Sequence, residues 1–287
     1  TILDVFFLIK FRKYLINKQL LDIPGKLKTH ILPIPKSSGV ILLLNLILLN
    51  FFFNMNSESL FDNSILVIQF INVFNIMFLF IGLVSFYDDV KGIHFAWRLI
   101  FQFIFVIIMI NSFYIHSFNL IDDNYFFTLP KRLWMIILIF SWIFFINSTN
   151  FIDGIDSNFC FYGILTSAYY IIIYKNFTNA DLLMHLNLVT LIGLVLMLYF
   201  NCTKKYKFFS GDVGTMFVGS LIGFNFIYTS IEGFLVNNLI VHSYVIIDVG
   251  YTLIKKILKQ ENIFVRHRDF IFLIIFDKYQ EKGIWIN

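Results

Sequence analysis

Residues 133–156 read LWMIILIFSWIFFINSTNFIDGID. The first part, Leu133–Ser148, carries no charged side chain, and the second places Asn147, Asn150, Asp153 and Asp156 at intervals of three. An apolar run of roughly 16–22 residues can cross a bilayer. In lipid every backbone amide must bond within the chain, so such a run must be a helix. Its polar end then falls at the membrane edge, where Gly154 permits a tight bend. Four amide or carboxylate groups facing one region, with no Lys or Arg among them, are costly beside hydrocarbon. A plain interhelical loop accounts for Asn and Gly but not for that regular row, so the row is read as a site.

The same pattern repeats on either side. Apolar runs cover Val40–Met55, Ile65–Phe86, Phe95–Ile115, Leu133–Ser148, Asn158–Tyr174, Leu182–Phe200, Val213–Ile231 and Phe234–Ile254. The expectation is an all-α, polytopic membrane protein of about 8 complete spans, read as one integral-membrane domain over residues 1–287. Ile2–Ile9 and Phe270–Phe276 are too short to cross and read as partial spans, so the chain reads as truncated at its N-terminal span and at its C-terminal end. Composition agrees: 59% of the residues are hydrophobic and 14% charged, against about 25% charged in soluble domains. Disorder and a disulfide scaffold are excluded by the apolar content and by two Cys without paired spacing.

Lys and Arg sort the loops. One alternating set holds 17 of them and the opposite set 3, which makes the first set cytoplasmic. Every polar cluster with chemical potential lies on that side. Asp88-Asp89 ends the second span, a disfavoured place for acids beside the negative end of a helix dipole. Neighbouring helical residues diverge by about 100°, so one of the pair suits a metal while the other holds a Lys or a substrate group. Ser210-Gly211-Asp212-Val213-Gly214-Thr215 opens a span. Its free amides suit a pyrophosphate and Asp212 its counter-ion, although capping alone explains Asp212. Arg266-His267-Arg268 is dense enough to bind phosphate, whereas Lys255, Lys256 and Lys259 are explained by topology and anionic lipid. His94, His116, His185 and His242 read as interfacial or helix-packed histidines, and no zinc spacing occurs.

Together these clusters resemble the polyprenyl-phosphate N-acetylhexosamine-1-phosphate transferase family, over residues from about 20 to 280 and in matching order. Leu21-Asp22-Ile23-Pro24, Lys28-Thr29-His30 and Pro33-Ile34-Pro35 resemble its first cytoplasmic loop. Asp88-Asp89, followed by Arg98, Leu99 and Gln102, resembles its acidic pair, and Asn150 to Asp156 its most recognisable motif. Gly211 to Thr215 with Gly219 resembles its Gly-Asp-x-Gly-Ser motif, and Asp248 with Lys255 to Arg268 its last catalytic loop. The departures are Leu27 for Arg, Ser38 for Gly, Ser157 for Gly, and Phe270 for a second His.

The resemblance implies transfer of a sugar-1-phosphate from a UDP-N-acetylhexosamine to polyprenyl (undecaprenyl) phosphate. UMP is released, and a lipid-linked cell-envelope glycan is started. It implies Mg²⁺, with Mn²⁺ as a substitute. Asp212 and Asp88 become candidate metal ligands. Asp88, Asp89, Asp153, Asp156 and His267 become candidate catalytic residues. Lys28, His30, Asn150, Gly211, Gly214, Thr215 and Arg268 become candidate substrate contacts. The expected setting is the inner (cytoplasmic) membrane of a bacterium with the site facing the cytoplasm. Membrane lipid is a partner, nucleic acid is not, and a homodimer is an open assembly. A phosphate monoester is mostly dianionic at neutral pH, so direct attack by the lipid phosphate is preferred over a covalent route through Asp88 or Asp89.

Two other classes compete. A secondary transporter needs ionisable groups near the bilayer midplane and matched halves, and neither pattern occurs. A CDP-alcohol phosphotransferase needs an Ala-Arg pair and two further Asp downstream of Asp153-Gly154, which are missing. An inactive member of the resembled family is the remaining alternative.

Overall fold

The computed structural model describes residues 2–25, 30–55, 65–117, 131–177, 180–263 and 268–281. Its elements are α1 (Ile2–Asn17), α2 (Val40–Met55), α3 (Ile65–Lys91), α4 (Phe95–Ser117), α5 (Lys131–Ile152), α6 (Asn158–Tyr174), α7 (Asp181–Cys202), α8 (Gly211–Thr229), α9 (Leu235–Val241), α10 (Ser243–Leu258) and α11 (Ile271–Glu281). The strands are two-residue pieces, β1 (Leu21–Asp22) and β2 (Ile34–Pro35), paired antiparallel with Leu21 opposite Pro35. Five stretches among the described residues are long and apolar enough to cross a membrane: Asn72–Lys91, Phe95–Ser112, Leu133–Ile152, Asp181–Cys202 and Gly211–Val241. Val40–Phe51 and Asn158–Tyr174 are shorter apolar helices. The chain is an all-α polytopic membrane protein.

The bundle is organised around α8, of whose 19 residues 15 are buried. Helices α5 and α3 pack along it, and α2 and α6 fill its remaining sides. Lipid tails give helices no hydrophobic reason to associate, so close backbone approach and interhelical hydrogen bonds must do so. Both are present between α5 and α8. A Cβ on Gly219 would come within 2.3 Å of Thr149 Oγ1, and one on Gly223 within 2.3 Å of Trp142 Cδ1. Thr149 Oγ1 donates to Thr215 O at 2.9 Å, and Trp142 Nε1 to Ser220 O at 2.9 Å. The apolar core is aromatic: Phe74, Phe78, Phe105 and Phe217 are buried and meet largely edge to face.

The first loop is tied to the loop before α8. Ser38 N donates to Phe209 O at 2.9 Å, Gly39 N to Ser210 O at 3.0 Å, and Phe209 N to Pro35 O at 3.0 Å. These bonds bring residues 35–39 against the start of α8, far from them in sequence.

Two boundaries differ from the hydropathy reading. Residues after Asp4 continue helically to Asn17, so α1 extends well past Ile9. The run Phe234–Ile254 is not one straight helix. A wide turn at Ser230–Phe234, with Gly233 at φ 96°, redirects the chain after α8, and a second break at His242 separates α9 from α10. Hydropathy marks the first, where the run Val213–Ile231 ends before Phe234, and is blind to the second, because bending leaves an apolar run apolar. At the C-terminal end α11 is fixed by Asp248 of α10, which accepts from the amides of Ile271 at 2.7 Å and Phe272 at 3.1 Å.

Candidate active site

The C-terminal ends of α3 and α5, the start of α4, the N-terminus of α8 and residues 35–37 meet at one end of the bundle. A cavity of about 1410 Å³ opens there, lined by Lys36, Asp89, Arg98, Asn150, Asp153 and Asp212, among others. It continues as an apolar arm past Phe103, Phe140, Phe144, Phe226, Ile247 and Tyr251.

Asp88 and Asp89 diverge as adjacent helical residues must. Asp89 points at the start of α8. It accepts from Asp212 N at 3.0 Å, Val213 N at 3.4 Å and Ser37 Oγ at 2.8 Å, and pairs with Lys36 Nζ at 3.3 Å. A carboxylate there answers the unpaired amides and positive dipole end of the helix. Two amides that the sequence reading offers to a pyrophosphate are therefore already taken. Gly211, at φ 68°, makes room: its Cβ would lie 2.3 Å from Asp89 Oδ2. Gly214 is used for packing against Gly39 and Met197.

Asp88 turns the other way. Its Oδ1 accepts from Ile93 N at 2.6 Å, while its buried Oδ2 accepts no hydrogen bond and lies 3.7 Å from Arg98 Nη1. The same Nη1 is 3.7 Å from Asp212 Oδ2. Asn150 Nδ2 donates to Asp212 Oδ1 and, at 3.2 Å, to Thr215 Oγ1. One guanidinium thus stands between two carboxylates, with Asn150 setting the angle of the second.

The rest of the polar row lines the cavity. Asn147 is exchanged into a bonded pair with Gln102 (Nδ2 to Oε1, 2.8 Å). Asp153 Oδ1 accepts from Ser210 Oγ at 3.4 Å. Desolvation, and then the charge of Asp212, pushes the Asp153 carboxyl well above the usual carboxylate range. It is held toward its neutral, hydrogen-bond-donating form. Asp156 pairs with Lys207. Burial works against the Lys36 charge, but Asp89 and Asp212 outweigh it and raise its pKa.

The other expected residues are placed as follows. His30 lines the cavity, with Nε2 3.4 Å from Asp22 Oδ2 and its ring 5.1 Å from that of Phe209. Arg268 forms a two-pronged pair with Asp277 of α11 and does not line the cavity. Phe270 is buried, with its ring 5.3 Å from Phe151. Lys28 and His267 lie outside the described residues. Sequence reasoning assigned no role to Lys36 or Arg98. The signal for Arg98 was its place in the first turn of the helix that follows the acidic pair. Lys36 had only its neighbouring prolines.

A divalent cation can be weighed against this arrangement. Among the described residues the carboxylates of Asp88, Asp89 and Asp212 share the two cations Lys36 and Arg98, and Asp88 Oδ2 is buried without a hydrogen bond. Enclosed negative charge in excess calls for a counter-ion. Among the described residues no three His, Cys, Asp or Glu side chains converge to enclose a metal by themselves. Mg²⁺ does not need that, because it is commonly held by one or two carboxylates plus water and substrate phosphates. The donor set of Asp212 and Asp88 fits it.

Comparison with known proteins adds one finding. The family model for glycosyl transferase family 4 matches residues 71–230, from α3 to the turn after α8. That stretch holds Asp88, Asp89, Arg98, Asn150, Asp153, Asp156 and Asp212. No curated protein matched the chain.

Proposed function

The chain belongs to glycosyl transferase family 4, whose members transfer sugar-1-phosphates to polyprenyl phosphate, and on that premise we propose that it uses a UDP-N-acetylhexosamine as donor and undecaprenyl phosphate as acceptor. The observation that carries this reading is the joining of two environments in one cavity. One part carries carboxylates, Lys36 and Arg98; another is an arm lined by Phe and Ile. A substrate that is a phosphate at one end and a long hydrocarbon at the other fits both.

In this reading the acceptor's prenyl chain lies in the apolar arm and its phosphate rests near Lys36 and Arg98. A phosphate oxygen attacks the sugar-bearing phosphorus of the donor. The bond from that phosphorus to the bridging oxygen breaks, and UMP leaves with the electron pair. The acceptor is already dianionic, so no base is required. The chain's contribution is to place the two anions in line and offset their charge. Asn150 fixes Asp212, Asp89 fixes the start of α8, and Asp153 offers a hydrogen bond to the donor. Asp212 and Asp88 would hold Mg²⁺, which when bound supplies charge neutralisation at the diphosphate. The excess of Lys and Arg in the loops at this end supports a site facing the cytoplasm, and in this reading the membrane is a bacterial inner membrane where the product starts a cell-envelope glycan.

The test uses membranes containing the full chain, radiolabelled UDP-sugars and undecaprenyl phosphate. Label extracted into organic solvent, with equivalent UMP release, is expected for a UDP-N-acetylhexosamine. Absence of lipid-linked label with every UDP-sugar tried would refute the substrate assignment.

A further inference from the structure

The apolar lining of the cavity includes Phe145 and Phe226, together with Leu239 and Ile246. Phe226 lies 14 positions along α8 from Asp212, about 20 Å of helix rise. Directly behind these two rings is His242, which is wholly buried and is not part of the lining. Its imidazole stands edge-on to both, with centroids 5.0 Å from Phe145 and 5.7 Å from Phe226.

His242 is held on both nitrogens. Nδ1 is 2.6 Å from the Tyr162 hydroxyl and Nε2 is 2.7 Å from the Tyr170 hydroxyl. A neutral imidazole has one donor and one acceptor nitrogen, so one tyrosine donates and the other accepts. Both tyrosines come from α6, while His242 is the joint between α9 and α10. From that joint onward α10 supplies Ile246, Ile247, Gly250, Tyr251 and Ile254 to the cavity wall. A polar residue this deep in a membrane protein has no solvent to satisfy it, so its partners fix its position.

We propose that His242 is a positioning residue for the acceptor lipid: clamped between Tyr162 and Tyr170, it fixes the joint of α9 and α10 and backs the Phe145–Phe226 ring pair of the apolar lining. This rests on the reading of the cavity as the polyprenyl phosphate site. His242 touches no substrate and acts through Phe145, Phe226 and the wall of α10. Its removal therefore loosens the lining at Phe226 and leaves the acidic part of the cavity as it is. Prenyl chains long enough to reach Phe226 sense the change; shorter chains do not.

The experiment measures kcat and KM for undecaprenyl phosphate, farnesyl phosphate and the donor, using the detergent-solubilised full chain. His242→Phe removes both hydrogen bonds, and His242→Gln keeps one donor and one acceptor. For His242→Phe the KM for undecaprenyl phosphate should rise roughly five- to tenfold. Its kcat, its donor KM and its farnesyl phosphate KM should stay within about twofold. His242→Gln should recover most of the difference. If His242→Phe does not fold, Tyr162→Phe and Tyr170→Phe decide, with the same long-chain-selective rise expected of each. An unchanged undecaprenyl KM, or an equal loss with both acceptors, overturns the proposal while wild-type transfer stands. A wild-type chain that transfers to neither acceptor overturns the acceptor reading, and the role of His242 with it.

Discussion

Asp212 meets Asn150 with one carboxylate oxygen and Arg98 with the other. Replacing it by Asn keeps the shape and removes the charge, and an amide is a poor ligand for a hard cation. Transfer by Asp212→Asn should fall by on the order of a thousandfold, with the melting temperature of the purified protein little changed; retention of near-normal turnover would remove Asp212 from its assigned role. Ser157 makes a separate prediction. It has φ 71°, a left-handed conformation that costs a side-chain-bearing residue about 1–2 kcal/mol. Glycine adopts it freely but gives up more entropy on folding. Ser157→Gly should therefore stabilise by a net of about 0.5–1 kcal/mol, seen as a small upward shift in thermal unfolding. At this scale much was legible in the sequence. The row from Asn150 to Asp156 and the isolated Asp212 stand out because polar groups at the end of an apolar run demand a reason. The use of Asp89 was legible only in part: a Lys partner is expected for one of the acidic pair, and Lys36 supplies it. Its other partners, Ser37 and the amides of 212 and 213, are brought to it by chain folding that no local pattern encodes.

Between elements, Asp89 is a shared fastener. One carboxylate from α3 caps α8 and holds the loop at Lys36 and Ser37. Asp89→Asn would turn an amide group toward donors that need an acceptor, at a cost of about 1–3 kcal/mol. The expected outcome is a lower melting temperature together with lost transfer, in contrast to Asp212→Asn. If Asp89→Asn melts like the wild type, capping is not what Asp89 contributes. The helices themselves were legible from their apolar runs, since lipid leaves the backbone few choices. The turn at Gly233 was legible too, since it falls between the runs Val213–Ile231 and Phe234–Ile254. The break at His242 was not: it is held by hydrogen bonds to Tyr162 and Tyr170 and does not change the hydropathy of the run that contains it.

For the molecule as a whole, the charge asymmetry of the loops predicts which way round it sits. A cysteine at the exposed position Lys175 should react with an impermeant thiol reagent added to intact cells, and one at Lys204 should not, in a Cys202→Ser background. Labelling at Lys204 from outside would reverse the orientation and remove the nucleotide donor's access to the acids. The central position of α8 also bears on how the protein is made. The stretch Gly211–Val241 has a mean hydropathy of 1.3, against 1.6 to 2.1 for the other long spans, and it is the most enclosed of them. A segment carrying Asp212, Ser220, Asn225 and Thr229 is a weak signal to the insertion machinery when it emerges from the ribosome. By then α3 and α5, whose surfaces it matches, have already been synthesised. The least lipid-soluble helix is thus the one that enters a bilayer where its partners are waiting, so its insertion is a templated event in which protein substitutes for lipid as the solvent.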